Sequence, residues 1–259
     1  MHVIVEGRGK KLLLVHGIGS SSRQWRGLMP ALTRDRQVIA LDLPGHGATP
    51  AEADSGTFAG LVRSLEEFLA REGLEGVDMV GSSLGARLVL ELARRGRAGA
   101  VVALDPGGFW VGWERTYLRT TLLISGFLLR RVRGLLPTLA HNKATRSLLL
   151  AQLSARPWEL DGDDVQTELD SYARTATFSQ LVNDLATIPM QEGPAAPQTG
   201  KVAIGWGRHD RLCWPVQALR AQAAFPSARL HWFEHSGHFP MWDEPEETLK
   251  LIQETIGTV

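Results

Sequence analysis

Residues 81–85 read Gly81-Ser82-Ser83-Leu84-Gly85, where a short apolar run meets a helical pattern. Glycine is costly inside a strand or a helix, so two of them around a serine mark a backbone that something must approach closely. A strand that turns at once into a helix holds its middle residue, Ser83, in a tight conformation. The side chain is then pushed into the open beyond the strand end. Ser82 fills the variable position and is the weaker candidate. A serine hydroxyl alone is a poor nucleophile. It needs a base, a group that orients the base, and donors for the oxyanion that forms at an attacked carbonyl.

Late histidines can supply the base. Residues 234–245 read EHSGHFPMWDEP and offer His235 and His238. His238 follows a glycine and precedes a helix start, on a loop after the last strand, and is favoured. The orienting acid should also sit beyond a strand. Asp210 does so in GWGRHDRLCWP, where it can accept the imidazole N–H and fix its tautomer. Asp105, after the run Ala100–Leu104, is the rival acid. For the oxyanion, the backbone N–H of Leu84 follows the nucleophile. A second N–H is assigned to Ile18, among its neighbours in His16-Gly17-Ile18-Gly19. His16 and His46 are read as structural, and Asp42 and Asp243 as turn or cap residues.

These groups converge only if particular elements carry them. Leu12–Val15, Val38–Leu41, Val77–Val80 and Ala100–Leu104 are short apolar runs, each followed by a glycine-bearing turn, and they suit strands buried on both faces. Val3–Val5 reads as an edge strand. Phe58–Arg71 and Leu84–Arg95 carry apolar residues at helical spacing. Alternation of this kind implies a parallel sheet covered on both sides. From Gly107 to Pro189 the periodicity is helical throughout. After the linker GPAAPQTG the rhythm resumes, with strands at Val202–Gly205 and Arg229–Phe233 and helices at Pro215–Ala224 and Glu244–Ile256. The chain is therefore expected to form a sheet domain from residues 1–106 and 190–259, with a helical piece, 107–189, inserted in it.

Composition sets bounds. The 259 residues suit one large α/β domain. Lys+Arg and Asp+Glu are both 28, so no basic field argues for nucleic acid. The lone cysteine, Cys213, permits no intrachain disulfide and is read as buried filler. The N-terminus lacks the features of a signal peptide, and a cytoplasmic location is expected. Thr120–Leu129, TTLLISGFLL, is too short to span a bilayer and reads as a buried or interfacial helix, so no stable membrane insertion is expected. Oligomeric state is not encoded legibly.

The motifs HGIG (His16–Gly19), DLPGHG (Asp42–Gly47), GSSLG (Gly81–Gly85), GRHD (Gly207–Asp210) and SGHFPMWDEPE (Ser236–Glu246), in this order, resemble the α/β-hydrolase superfamily. The resemblance implies an α/β-hydrolase fold, with a mostly parallel sheet, flanking helices, a Ser83–Asp210–His238 triad and a helical cap at about 107–189. The stretch before HGIG is short, so the first strands of the full fold are expected to be reduced or missing. Serine rather than aspartate at the elbow argues against the dehalogenase and epoxide-hydrolase branches. The expected activity is hydrolysis of a small-molecule carboxylic ester with an apolar acyl or alcohol group, through an acyl-enzyme, without metal or organic cofactor. Phe109, Trp110, Trp113 and Trp242 are candidate pocket walls. The alternatives are a carbon–carbon hydrolase of a vinylogous diketone, with Arg115, Arg119 or Arg174 binding a substrate carboxylate, a cofactor-free perhydrolase, or a non-catalytic binding module.

Overall fold

Seven strands form one sheet in the computed structural model, which describes residues 1–257. They are β1 (Val3–Glu6), β2 (Lys10–Val15), β3 (Arg36–Leu41), β4 (Asp78–Ser82), β5 (Val101–Leu104), β6 (Val202–Gly207) and β7 (Arg229–Phe233). Their spatial order is β1-β3-β2-β4-β5-β6-β7. β1 runs antiparallel to β3, and every other pairing is parallel. Every residue of β4, β5 and β6 is buried. A strand without a polar face must be covered on both sides, which is why these continuous apolar runs became the sheet centre.

On the sheet, α1 (Met29–Leu32), α2 (Phe58–Arg71) and α3 (Leu84–Arg94) come from the first half of the chain. α2 buries Leu61, Val62, Leu65, Phe68 and Leu69 along one stripe, and the Thr57 hydroxyl caps its start by accepting the Gly60 N–H at 3.0 Å. Five helices follow in the inserted segment: α4 (Trp113–Val132), α5 (Leu136–His141), α6 (Lys143–Leu149), α7 (Gly162–Arg174) and α8 (Phe178–Thr187). No strand lies between β5 and β6. α9 (Val216–Ala224), α10 (Pro240–Asp243) and α11 (Pro245–Ile256) complete the chain.

The inserted helices bury Leu118, Leu122, Val165, Leu169, Phe178 and Leu181, which join the same continuous hydrophobic core as the sheet. The two ends of the segment meet where the Gln191 N–H donates to the Gly108 carbonyl at 2.8 Å. Arg87 of α3 fastens the return by donating to the Pro189 carbonyl at 2.8 Å. The segment Thr120–Leu129, expected to be buried or interfacial, lies within α4 with two characters. Leu122, Gly126 and Leu129 face the core, whereas Ile124, Phe127 and Leu128 are about half exposed (53%, 54% and 52%). A helix packed on one side only cannot bury a stretch that is apolar all round. No helix among the described residues is long and apolar enough to cross a membrane.

The topology also makes a crevice. From β2 the chain moves to β3 on one side; from β4 onward it steps to the other. At such a reversal the loops leaving neighbouring carboxyl ends diverge. The loop after β2 and the bend after β4 face each other there, with Val15, the last residue of β2, paired to Gly81, two residues before Ser83.

Candidate active site

Ser83 stands at that bend. It lies between the end of β4 and the first residue of α3, with φ +54° and ψ −112°. A positive φ is rare for a residue with a side chain, and such strain persists only where its surroundings hold it. Here the Ser83 N–H donates to the Leu104 carbonyl at 2.9 Å, and the Ser83 carbonyl accepts the N–H groups of Arg87 (3.1 Å) and Gly107 (3.2 Å). The flanking glycines have steric reasons. A Cβ on Gly85 would lie 2.1 Å from the Val15 carbonyl oxygen, and one on Gly81 would lie 2.3 Å from that of Gly85. Ser82 points into the sheet, its hydroxyl buried and without a partner.

His238 arrives on the loop between β7 and α10. Its Nε2 lies 2.8 Å from the Ser83 Oγ and its Nδ1 lies 2.7 Å from the Asp210 Oδ2. The second Asp210 oxygen accepts the N–H groups of Leu212 (2.7 Å) and Cys213 (2.9 Å). The carboxylate thus has its lone pairs occupied and one oxygen aimed at the imidazole. That contact favours the proton on Nδ1, which leaves Nε2 free to accept the serine hydroxyl proton. His238, Asp210 and Ser83 are all buried, with only Ser83 keeping a small opening. His235 is exposed and faces away. Asp105 is buried at φ +46° behind Asp210 and accepts the Gly207 N–H at 2.8 Å. Burial, reinforced by the charge of Asp210, pushes Asp105 well above the usual carboxylate range.

The histidine loop is clamped. One Asp243 oxygen accepts the N–H groups of Gly237 (2.7 Å) and Ala155 (2.8 Å), and the other accepts the Ser154 hydroxyl. Asp243 therefore ties the loop that carries His238 to the inserted segment, a larger role than the turn residue expected from sequence. Cys213 is buried beside the acid, its thiol pushed well up by burial. Its sulfur lies near ligand atoms of Asp210 and His238, but those two groups are already satisfied by each other.

The loop after β2 passes directly over the serine. A Cβ on Gly17 would lie 3.2 Å from the Ser83 Cβ. The Gly17 N–H is taken by the Gln24 Oε1 at 3.1 Å, which removes it as an oxyanion donor. Ile18 is the next residue, and Leu84 opens α3, where an N–H has no intrahelical acceptor. His16 braces the same loop. It accepts the Leu43 N–H on Nε2 at 3.0 Å and lies 2.7 Å from the Gly17 carbonyl through Nδ1. Burial pulls His16 down to about 4 and the adjacent His46 to about 3, so both are neutral braces.

The four aromatic residues expected to line a pocket separate in space. Phe109 is fully buried, with its ring 6.5 Å from that of Trp206. Trp110 is buried under the Arg87 guanidinium, 5.8 Å from its ring centre. Trp113 is 60% exposed and stacks edge-on against Trp214 and Tyr117 at the surface, so it is no pocket wall; the position precedes the buried stripe of α4 rather than lying on it. Trp242 does line a cavity of about 680 Å³ between the sheet domain and α7, and its indole N–H reaches the Gln24 carbonyl at 3.4 Å. Sequence reasoning missed Gln24 and Glu168, which line the same cavity. Glu168 carried a signal: it shares an apolar helical stripe with Val165, Leu169 and Tyr172.

Comparison with known proteins bears on the fold and the family. The model of the alpha/beta hydrolase family matches residues 12–251. A 2-hydroxy-6-oxononadienedioate/2-hydroxy-6-oxononatrienedioate hydrolase of Paraburkholderia xenovorans is 26% identical, over 97% of this chain and 89% of its own length. An esterase from Exiguobacterium antarcticum superposes with a TM-score of 0.79 at 17% identity, over 99% of this chain and 95% of that one. A meta-cleavage product hydrolase from Pseudomonas fluorescens superposes with a TM-score of 0.73 at 20% identity, over 98% and 93%. At such identities the superpositions speak for the fold alone. With the family model spanning most of its length, from the loop over the serine to the helix after the histidine, this chain belongs to the alpha/beta hydrolase family.

Proposed function

We propose that the chain is a serine carboxylic-ester hydrolase. The observation that carries this reading is the unbroken line from the Ser83 Oγ to His238 and on to Asp210, at 2.8 and 2.7 Å. Ser83 attacks the ester carbonyl as its proton passes to the His238 Nε2, and Asp210 stabilises the imidazolium. The N–H groups of Leu84 and Ile18 receive the oxyanion. His238 then protonates the leaving alkoxide, and a water molecule repeats the sequence on the acyl-enzyme. The inserted segment acts as the cap, and Trp242 borders the substrate chamber. No step calls on a metal or an organic cofactor.

The relationship to dienedioate hydrolases favours a second reading, carbon–carbon hydrolysis by the same residues. That substrate class is rich in carboxylate and calls for a cation in the chamber. The arginines considered for this are engaged elsewhere: Arg115 donates to the Ile188 carbonyl, Arg119 to Asn183, and Arg174 pairs with Asp170. Glu168 in the chamber wall adds a group that repels carboxylates when ionised. These points weigh toward the ester, whereas Arg23 and Arg26, which also line the chamber, weigh toward the diketone.

Turnover of short p-nitrophenyl esters tests this, with a ring-fission diketone alongside. Ser83→Ala is expected to lower ester kcat/KM by about a thousandfold or more while melting like the parent. Near-parental turnover in that variant removes Ser83 from the role. Faster turnover of the diketone than of any ester favours the second reading.

A further inference from the structure

Glu168 is a buried carboxyl that the Ser83–His238–Asp210 line does not use. Only 3% of it is exposed, and no cation lies within ion-pairing distance among the described residues. Its polar side-chain contacts are neutral: the Gln24 Nε2 stands 3.5 Å from its Oε1, and the Ser20 hydroxyl lies against the carboxyl. Isolated charges in such surroundings are costly, and burial raises this carboxyl to about 7. A fold that keeps an acid there with only neutral partners leaves room for a stronger donor to arrive.

The space is present. Glu168 and Gln24 line the 680 Å³ cavity, whose other walls include Met29, Leu160, Val165, Met241 and Trp242. An apolar chamber with a few convergent polar groups is the usual construction of a small-molecule site. Its mouth carries the exposed Arg26–Asp164 ion pair at 2.9 Å. Ser83, Asp210 and His238 are not in the chamber wall, but the chamber adjoins the nucleophile through Gln24, which holds the Gly17 N–H. A Cβ on Gly17 would stand 3.2 Å from the Ser83 Cβ and 3.9 Å from the Gln24 Nε2. The serine, the loop over it, Gln24 and Glu168 form one contiguous series.

We propose that Glu168, oriented by the Gln24 amide, recognises a hydrogen-bond-donating tip, a hydroxyl or a protonated amine, on the part of the ester remote from the scissile bond. This rests on the serine-hydrolase reading and names its substrate class: esters with an apolar body and a donor tip. A carboxylate accepts from either tip. A plain alkyl end leaves the acid unpartnered, and a carboxylate end meets like charge.

The test is a panel of p-nitrophenyl esters and matched alkyl acetates of equal chain length, with methyl, ω-hydroxy, ω-amino or ω-carboxy ends. The parent enzyme is expected to favour the hydroxy or amino end over methyl by tenfold or more in kcat/KM, and to disfavour the carboxy end. Glu168→Gln should collapse the amino-to-methyl ratio at least fivefold and narrow the penalty on the carboxy end. Glu168→Asp keeps the charge but withdraws it by one methylene, so the preferred chain should lengthen by one methylene. Ratios within twofold of the parent in both variants, or in whichever of them folds as judged by thermal melting, overturn the subsite. The underlying reading fails separately: a fluorophosphonate probe that labels the parent but not Ser83→Ala upholds the nucleophile whatever the panel shows.

Discussion

Asp210 and Asp105 show how two carboxyls a strand apart are given different work. Asp210 is fed by two backbone N–H groups and faces the imidazole; Asp105 is fed by one, and its second oxygen has no partner. The first can hold charge; the second is pushed toward its neutral form by burial and by Asp210. Asp210→Asn is therefore expected to lower kcat by roughly 10³–10⁴-fold, since an amide can force the wrong tautomer on His238. Asp105→Asn replaces an acid that is already neutral and can still accept the Gly207 N–H. It should leave kcat within about fivefold of the parent. Steady-state kinetics of the pair checks both, and comparable losses in the two variants refute the division of labour.

At the scale of elements, the packing of α3 against the turn after β2 brings Ser83 under the loop that carries Gly17. That approach is possible only because Gly85 has no side chain: its Cβ would collide with backbone, which cannot swing aside. Gly85→Ala should cost several kcal/mol or prevent folding altogether. Gly134→Ala, where a Cβ meets nothing within 4 Å, should melt like the parent. The comparison by differential scanning calorimetry separates close approach from a general intolerance of alanine. Strand and helix positions around this turn were legible in the sequence: Phe58–Arg71 and Arg229–Phe233 occur with the expected limits. Amphipathic and fully apolar runs report burial directly. The inserted segment was legible only as helical, because helices that pack on one another bury stripes whose direction the stripe itself does not reveal. Trp113 on the surface and Glu168 in the chamber are the two consequences.

For the whole molecule, the buried titratable groups set opposing pH slopes. His16 and His46 are held near 4 and 3, below their ordinary 6.5. The unfolded chain binds protons there first, so the stability they contribute is full above about pH 6.5 and is lost as the pH falls. Glu168 has the opposite sign. Its folded value, about 7, exceeds the ordinary 4.5, so the folded state binds the extra proton and stability declines as the pH rises through that window. Melting temperature should therefore peak between about pH 6 and 7. Glu168→Gln should gain on the parent at pH 8 and lose that gain by pH 4.5. A difference that stays constant across this range contradicts the assignment.

The sequence by itself determined the order of the sheet-forming runs, the sharp bend at Ser83 and the loops on which Asp210 and His238 ride. Each of these depends on local patterning and on glycines whose need is felt within a few residues. Tertiary structure decided which oxygen of which aspartate meets the imidazole, that Asp243 clamps the histidine loop to the inserted segment, and that Glu168 and Gln24 border one chamber. Those outcomes join residues up to 144 positions apart, and no periodicity in a single chain records which distant residue a side chain will meet.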